Sequence, residues 1–195
     1  MIEHINASYL ESLQVLKSFV SDEDNIRKTA EVSELIASTF IKGNKVIIAG
    51  NGGSACDAMH FAEEFTGRFR KDRMSLPVIA LTDPAHITAV SNDFGFEYAF
   101  SRGVEAYGKK GDVFIGISTS GNSSNIIKAF EKCREMGIFT IALLGKGGGK
   151  IKGTCLYEFM ASGTTSDRSQ EIHMVILHVI IESTERILFP ENYSD

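Results

Sequence analysis

Residues 47–65, IIAGNGGSACDAMHFAEEF, pass from a short apolar run through Asn-Gly-Gly-Ser into a helical pattern. A buried strand that ends in glycines and turns at once into a helix is a building unit of an α/β sheet. The helix carries His60 and Glu64 one turn apart on one face, with Ala58, Ala62 and Phe65 on a separate apolar stripe. Such a pair reads as two metal ligands or as a base with its partner; the plain alternative is a solvated ion pair on a surface helix. Position favours chemistry, because the helix opens directly from a glycine loop at the carboxyl end of a strand.

Outward from this unit the pattern alternates. Ile2, Ile5, Tyr9, Leu13, Leu16 and Phe19 recur at helical spacing, and Ile26, Ala30, Ile36 and Phe40 do so again after a Ser-Asp-Glu-Asp break, so two helices precede the first strand. KVIIAG, LPVIAL, DVFIGIS, FTIALLG and, more weakly, CLYEFMA read as strands. Helices are expected over 54–67, in pieces across 84–107, over 122–136 and from about 166 to 188. Continuous β-branched runs separated by helices predict a parallel sheet covered on both faces. No repeat, linker or low-complexity segment divides the chain, which reads as one domain over 1–195.

Composition narrows the function. The chain has 195 residues, 43% of them hydrophobic and 23% charged, with a formal net charge of −5. No basic run is present, which argues against a nucleic-acid or anionic-membrane surface. Any bound phosphate must be held mostly by backbone amides and hydroxyls. Cys56, Cys133 and Cys155 show no C-x-x-C spacing, so neither a disulfide framework nor a cysteine zinc site is expected, and a reducing cytoplasm fits. The acidic amphipathic start, MIEHINASYLESL, lacks a basic leader, and no apolar stretch approaches membrane-spanning length.

Ligands of open α/β sheets collect at the carboxyl ends of the strands, so GNGGS, TDPAH and STSGNSSN are the loops of interest. STSGNSSN sets Ser118, Thr119, Ser120 and Ser123 between a strand and a helix start, where free amides and the helix dipole attract an anion. Serine N-capping is the alternative, but four hydroxyls exceed what a cap requires. Neither a Walker loop nor G-x-G-x-x-G is present, which demotes nucleotide binding. Met174 to Ile181 of the last helix is apolar except for His178, which suggests burial against a second subunit as well as the core. A hydrogen-bonded core histidine is the alternative for His178, and a surface role for Gln170 and Glu171. SNDFGFE, residues 91–97, reads equally as a turn in which Asn92 and Asp93 cap the helix that follows. GKGGGK, residues 145–150, reads most simply as a flexible loop after a strand, with a ligand loop as the alternative.

Taken together, GNGGSACDAMHFAEEF, SNDFGFE, STSGNS and RSQEIHMVILH, in this order and spacing, resemble the phosphoheptose isomerases of the sugar-isomerase, or SIS domain, family. The serine loop indicates only an SIS domain; H-x-x-x-E on the first core helix with a glutamine and a histidine eight residues apart on the last is specific to the isomerase branch. The resemblance implies a five-stranded parallel sheet between helices and a homotetramer with active sites at subunit interfaces. It implies one zinc ion per subunit on His60, Glu64, Gln170 and His178, with Glu64 and His178 also the catalytic acid/base residues. Asn51, Gly52, Gly53, Glu64, Asn92, Asp93 and Gln170 would contact substrate, and Ser118, Thr119, Ser120 and Ser123 would hold its phosphate. The implied reaction converts sedoheptulose 7-phosphate into D-glycero-D-manno-heptose 7-phosphate through an enediol, the first step toward activated heptose for lipopolysaccharide or capsule. Gln170 and His178 stand roughly 12 Å apart along a helix axis and about 80° round it. One metal between them therefore needs both side chains extended, or a ligand from a neighbouring subunit.

Overall fold

The computed structural model describes residues 1–194. Two helices, α1 (Ile2–Val20) and α2 (Glu23–Ile41), precede the sheet. They part at the acidic break because Asp22 caps α2, its carboxylate accepting from the Asp24 amide at 3.0 Å. Then follow β1 (Val46–Gly50), α3 (Gly53–Thr66), β2 (Val78–Ala80), α4 (Pro84–Phe94) and α5 (Ala99–Tyr107). After them come β3 (Val113–Ser118), α6 (Ser124–Met136), β4 (Phe139–Leu144), β5 (Tyr157–Met160), α7 (Ser166–Leu188) and a short 3-10 turn at Pro190–Tyr193.

All strand pairs are parallel, in the order β2-β1-β3-β4-β5, as the alternating pattern predicts. Successive side chains of a strand enter opposite cores. Val46 and Ile48 of β1 pack with α2, α3 and α7 through Ile36, Phe61 and Ile176, whereas Ile47 and Ala49 pack with α5 and α6 through Phe100 and Phe130. Each fully buried Val, Ile or Phe side chain among these contributes about 1.5–3 kcal/mol.

Several boundaries differ from the sequence expectation. Only Val78–Ala80 of LPVIAL pairs as strand, because the Leu76 amide turns back to the Phe65 carbonyl at the end of α3. α6 begins at Ser124, not Asn122, because Asn122 is held in the loop by Ser120 and by the Lys150 amide. Asn92 and Asp93 cap nothing: α4 continues through Phe94, and the turn falls at Gly95, whose φ of 102° suits glycine. Among the described residues no helix is long and apolar enough to cross a membrane.

Candidate active site

The strand order reverses at β1, with β2 on one side and β3 on the other, and a crevice at such a switch point is where α/β sheets bind ligands. The loops leaving β1 and β3 meet there. Asn51 and Asn125 exchange side-chain amide hydrogen bonds of 3.0 and 2.9 Å, tying the glycine loop to the start of α6. Gly53 opens α3 beside α7; a Cβ there would stand 2.7 Å from the Gln170 side-chain amide and would have to displace it. Gln170 in turn donates to Ser54 Oγ at 3.3 Å.

Two and three turns further along α3, His60 Nε2 lies 3.1 Å from Glu64 Oε1. The Glu64 side chain is 15% exposed and that of His60 43%, so the carboxylate is mostly covered while the imidazole reaches solvent. From α7, His178 turns its ring edge to face toward His60, centroids 5.0 Å apart, and stacks on Phe69 at 5.9 Å. Burial, then the neighbouring His60, holds the His178 imidazole below its ordinary pKa. Donor atoms of His60, Glu64 and His178 all lie within 4.8 Å of one another, so these three side chains could hold a metal ion. The donor set fits: two donors of a tetrahedral zinc stand roughly 3.3 Å apart, and two imidazoles with one carboxylate leave a fourth position open. The chain thus combines the ligand pair read from spacing with a histidine more than a hundred residues away.

Gln170 directs its side-chain amide to Ser54, at the opposite end of α3 from Glu64. Asn92 Nδ2 donates to Asp93 Oδ1 at 2.8 Å in the exposed last turn of α4. Among the described residues neither forms a hydrogen bond to the triad or to the two loops.

In the serine loop, Ser118 Oγ and Ser123 Oγ are 3.0 Å apart, Thr119 Oγ1 donates to Ser166 Oγ at 3.2 Å, and Ser120 Oγ accepts from the Asn122 amide at 3.2 Å. Ser123 occupies the N-cap position of α6 yet makes no side-chain cap. The Ser118 and Ser123 hydroxyls are therefore turned to each other, and although Asn125 Oδ1 takes the Ile126 amide at 3.0 Å, Ser123 leaves the amides before Ile126 to an anion.

Three features escaped the sequence reading. Asp57 lies on the His60–Glu64 face of α3; one carboxylate oxygen is buried without a partner, and burial pushes the group up to about 6. Its helical spacing, four before Phe61 and seven before Glu64, was the available signal. Arg73, 1% exposed, donates to the Glu64, Phe65 and Gly67 carbonyls at 2.7–2.8 Å and to Glu185 at 2.7 Å, closing the carboxyl end of α3 against α7. GKGGGK is not a free loop: it packs on the serine loop, the Ile151 amide donating to the Gly121 carbonyl at 3.1 Å and the Lys150 amide to Asn122 Oδ1 at 3.2 Å.

The SIS domain family model matches residues 8–145. The phosphoheptose isomerase of Fusobacterium nucleatum is 61% identical over 187 residues, 96% of this chain and 96% of the relative. The solved phosphoheptose isomerase of Neisseria gonorrhoeae superposes with a TM-score of 0.86 at 37% identity, covering 94% of this chain and 97% of the other. That of Francisella tularensis gives 0.89 at 31% identity, with 95% and 98% covered. Fold, site and likeness agree: the chain belongs to the phosphoheptose isomerases of the SIS domain family.

Proposed function

We propose that this chain, acting as a single SIS domain over 1–195, isomerises sedoheptulose 7-phosphate to D-glycero-D-manno-heptose 7-phosphate. The convergence of His60, Glu64 and His178 at the switch-point cleft, next to a loop of hydroxyls at a helix start, is the observation that carries this reading. A regulator that only binds a phosphosugar has no need of an acid/base pair.

Turning a 2-ketose into an aldose requires a proton to leave C1 and return at C2 while the hydroxyl protons are moved. Glu64 takes the carbon proton and returns it. Its Oε1 faces His60, which leaves Oε2 for this task. His178 moves protons at the two oxygens. His60, Glu64 and His178 would hold a zinc ion, which when bound polarises the carbonyl and stabilises charge developing on its oxygen. Coordination weakens a carboxylate as a base, and use of the second oxygen by Glu64 relieves that conflict. Gln170 is the fourth metal ligand and a substrate contact by resemblance; its place beside Gly53 and Ser54 supports the substrate role. Asn51, Gly52 and Gly53 line the sugar. Ser118, Thr119, Ser120 and Ser123 hold the phosphate, and Asn92 and Asp93 are assigned to substrate on the resemblance alone.

The working form is a homotetramer in the cytoplasm. α1 exposes Ile2, Ile5, Tyr9, Leu10 and Leu13, and α7 exposes Val175, Val179 and Ile187, an apolar surface that a second copy would cover. The enzyme supplies heptose for lipopolysaccharide or capsule. Incubating metal-stripped and zinc-restored protein with sedoheptulose 7-phosphate, followed by NMR, tests the reading: aldose forms only with zinc. Binding of the sugar phosphate without aldose under both conditions would replace the isomerase by a regulator.

A further inference from the structure

The proposed phosphate loop, as described so far, has hydroxyls and amides but no cation, although a sugar phosphate arrives carrying close to two negative charges. The loop after β4 supplies one. Lys146 is exposed, and its Nζ donates to Ser166 Oγ at 3.0 Å, the same oxygen that accepts from Thr119 Oγ1 at 3.2 Å. With two donors already directed at it, the Ser166 hydroxyl keeps its own proton free to donate.

The chain holds this ammonium in place by unusual means. Lys146 has a φ of 48°, the one positive value outside glycine among the described residues. The loop around it cannot shift independently of the serine loop. A Cβ on Gly121, whose φ is 64°, would stand 1.8 Å from the Gly148 carbonyl oxygen, and one on Gly145 would stand 2.9 Å from the Thr119 carbonyl oxygen. Electrostatics within the fold do not account for the placement. Ser166 is the first residue of α7, so the ammonium sits at the positive end of a helix, where a cation is disfavoured. No carboxylate pairs with Lys146 among the described residues, and Asp167 turns instead to Arg168 at 3.7 Å.

We propose that Lys146, seated on Ser166, is the cationic residue of the phosphate subsite and sets the preference for a dianionic phosphosugar. This rests on the phosphoheptose isomerase reading and adds a residue to it.

The test compares Lys146→Asn, which is neutral and tolerates the left-handed backbone, with Lys146→Arg, which keeps the charge. Steady-state kinetics with sedoheptulose 7-phosphate are measured across ionic strengths, with inorganic phosphate as competitive inhibitor. For Lys146→Asn, KM and the phosphate inhibition constant rise together, about tenfold, with kcat within about twofold, and the salt dependence of KM flattens; Lys146→Arg restores most of the loss. Unchanged KM and phosphate inhibition in Lys146→Asn would overturn the role. So would a fall in kcat with undiminished salt dependence, which marks a lysine that merely holds its loop. Wild-type protein that turns over no sedoheptulose 7-phosphate but binds inorganic phosphate would sink the isomerase reading; loss of that phosphate affinity in Lys146→Asn would still uphold the subsite.

Discussion

The imidazoles of His60 on α3 and His178 on α7 stand edge to face, their planes at 78° and their centroids 5.0 Å apart. His178 is held toward its neutral form by burial and by His60. Two imidazoles beside a carboxylate form a donor set suited to a cation. His60→Gln and His178→Gln should each lower zinc affinity by more than about 100-fold, beyond what loss of an outer-sphere partner costs. Titration calorimetry on stripped protein reads this; unchanged affinity in either variant would remove that residue from the site.

Ser123 separates capping from anion binding. A working N-cap lost to alanine costs about 1 kcal/mol, yet the Ser123 hydroxyl faces Ser118 and caps nothing. Ser123→Ala should therefore leave the urea midpoint nearly unchanged while raising KM for the sugar phosphate several-fold. A loss of stability near 1 kcal/mol with unaltered KM would restore the capping role.

The buried Arg73–Glu185 pair bears on stability through the end of the catalytic helix. Arg73→Leu leaves Glu185, 3% exposed, facing only Tyr193, and leaves the Glu64, Phe65 and Gly67 carbonyls without this donor. Removing one partner of such a pair costs about 3–5 kcal/mol. Urea unfolding should show a loss in that range, and a loss under about 1 kcal/mol would mean that the pair is not a determinant of the fold.

His173 gives stability a dependence on acid. It is fully buried, its Nε2 donates to the Leu144 carbonyl at 3.0 Å, its Nδ1 has no partner, and burial pushes its pKa down to about 4. The unfolded chain binds this proton from about pH 6.5 downward, whereas the folded chain resists it until about 4. Stability is then present above pH 6.5 and is lost as pH falls through that window, by about 3 kcal/mol for the whole shift. His173→Gln keeps a donor for Leu144 and should flatten this part of the profile, as read by urea unfolding between pH 7.5 and 4.5. Parallel profiles for wild type and variant would contradict the assignment.

What the sequence made legible follows from how far each relation reaches along the chain. His60 and Glu64 are one helical turn apart, so spacing alone put them on one face, and β1, β3 and β4 stood out as unbroken apolar runs. Arg73 and Glu185 are 112 positions apart, and Asn51 and Asn125 are 74 apart; no local period joins them. SNDFGFE reads equally as a turn capped by Asn92 and Asp93, whereas the backbone keeps both in α4 and turns at Gly95. The glycines of GKGGGK suggest freedom along the chain, whereas in the fold Gly148 and Gly149 pack closely against Gly121.

Proton transfer by Glu64 at carbon is the claim on which the rest depends. Zinc-restored wild type and Glu64→Gln are incubated with sedoheptulose 7-phosphate in deuterium oxide, and deuterium at C2 of the aldose is followed by NMR. Labelled aldose from the wild type, with neither aldose nor exchange from a Glu64→Gln variant that still binds the sugar phosphate, is the expected result. Labelled aldose at comparable rates from both proteins would show that another group moves the carbon proton.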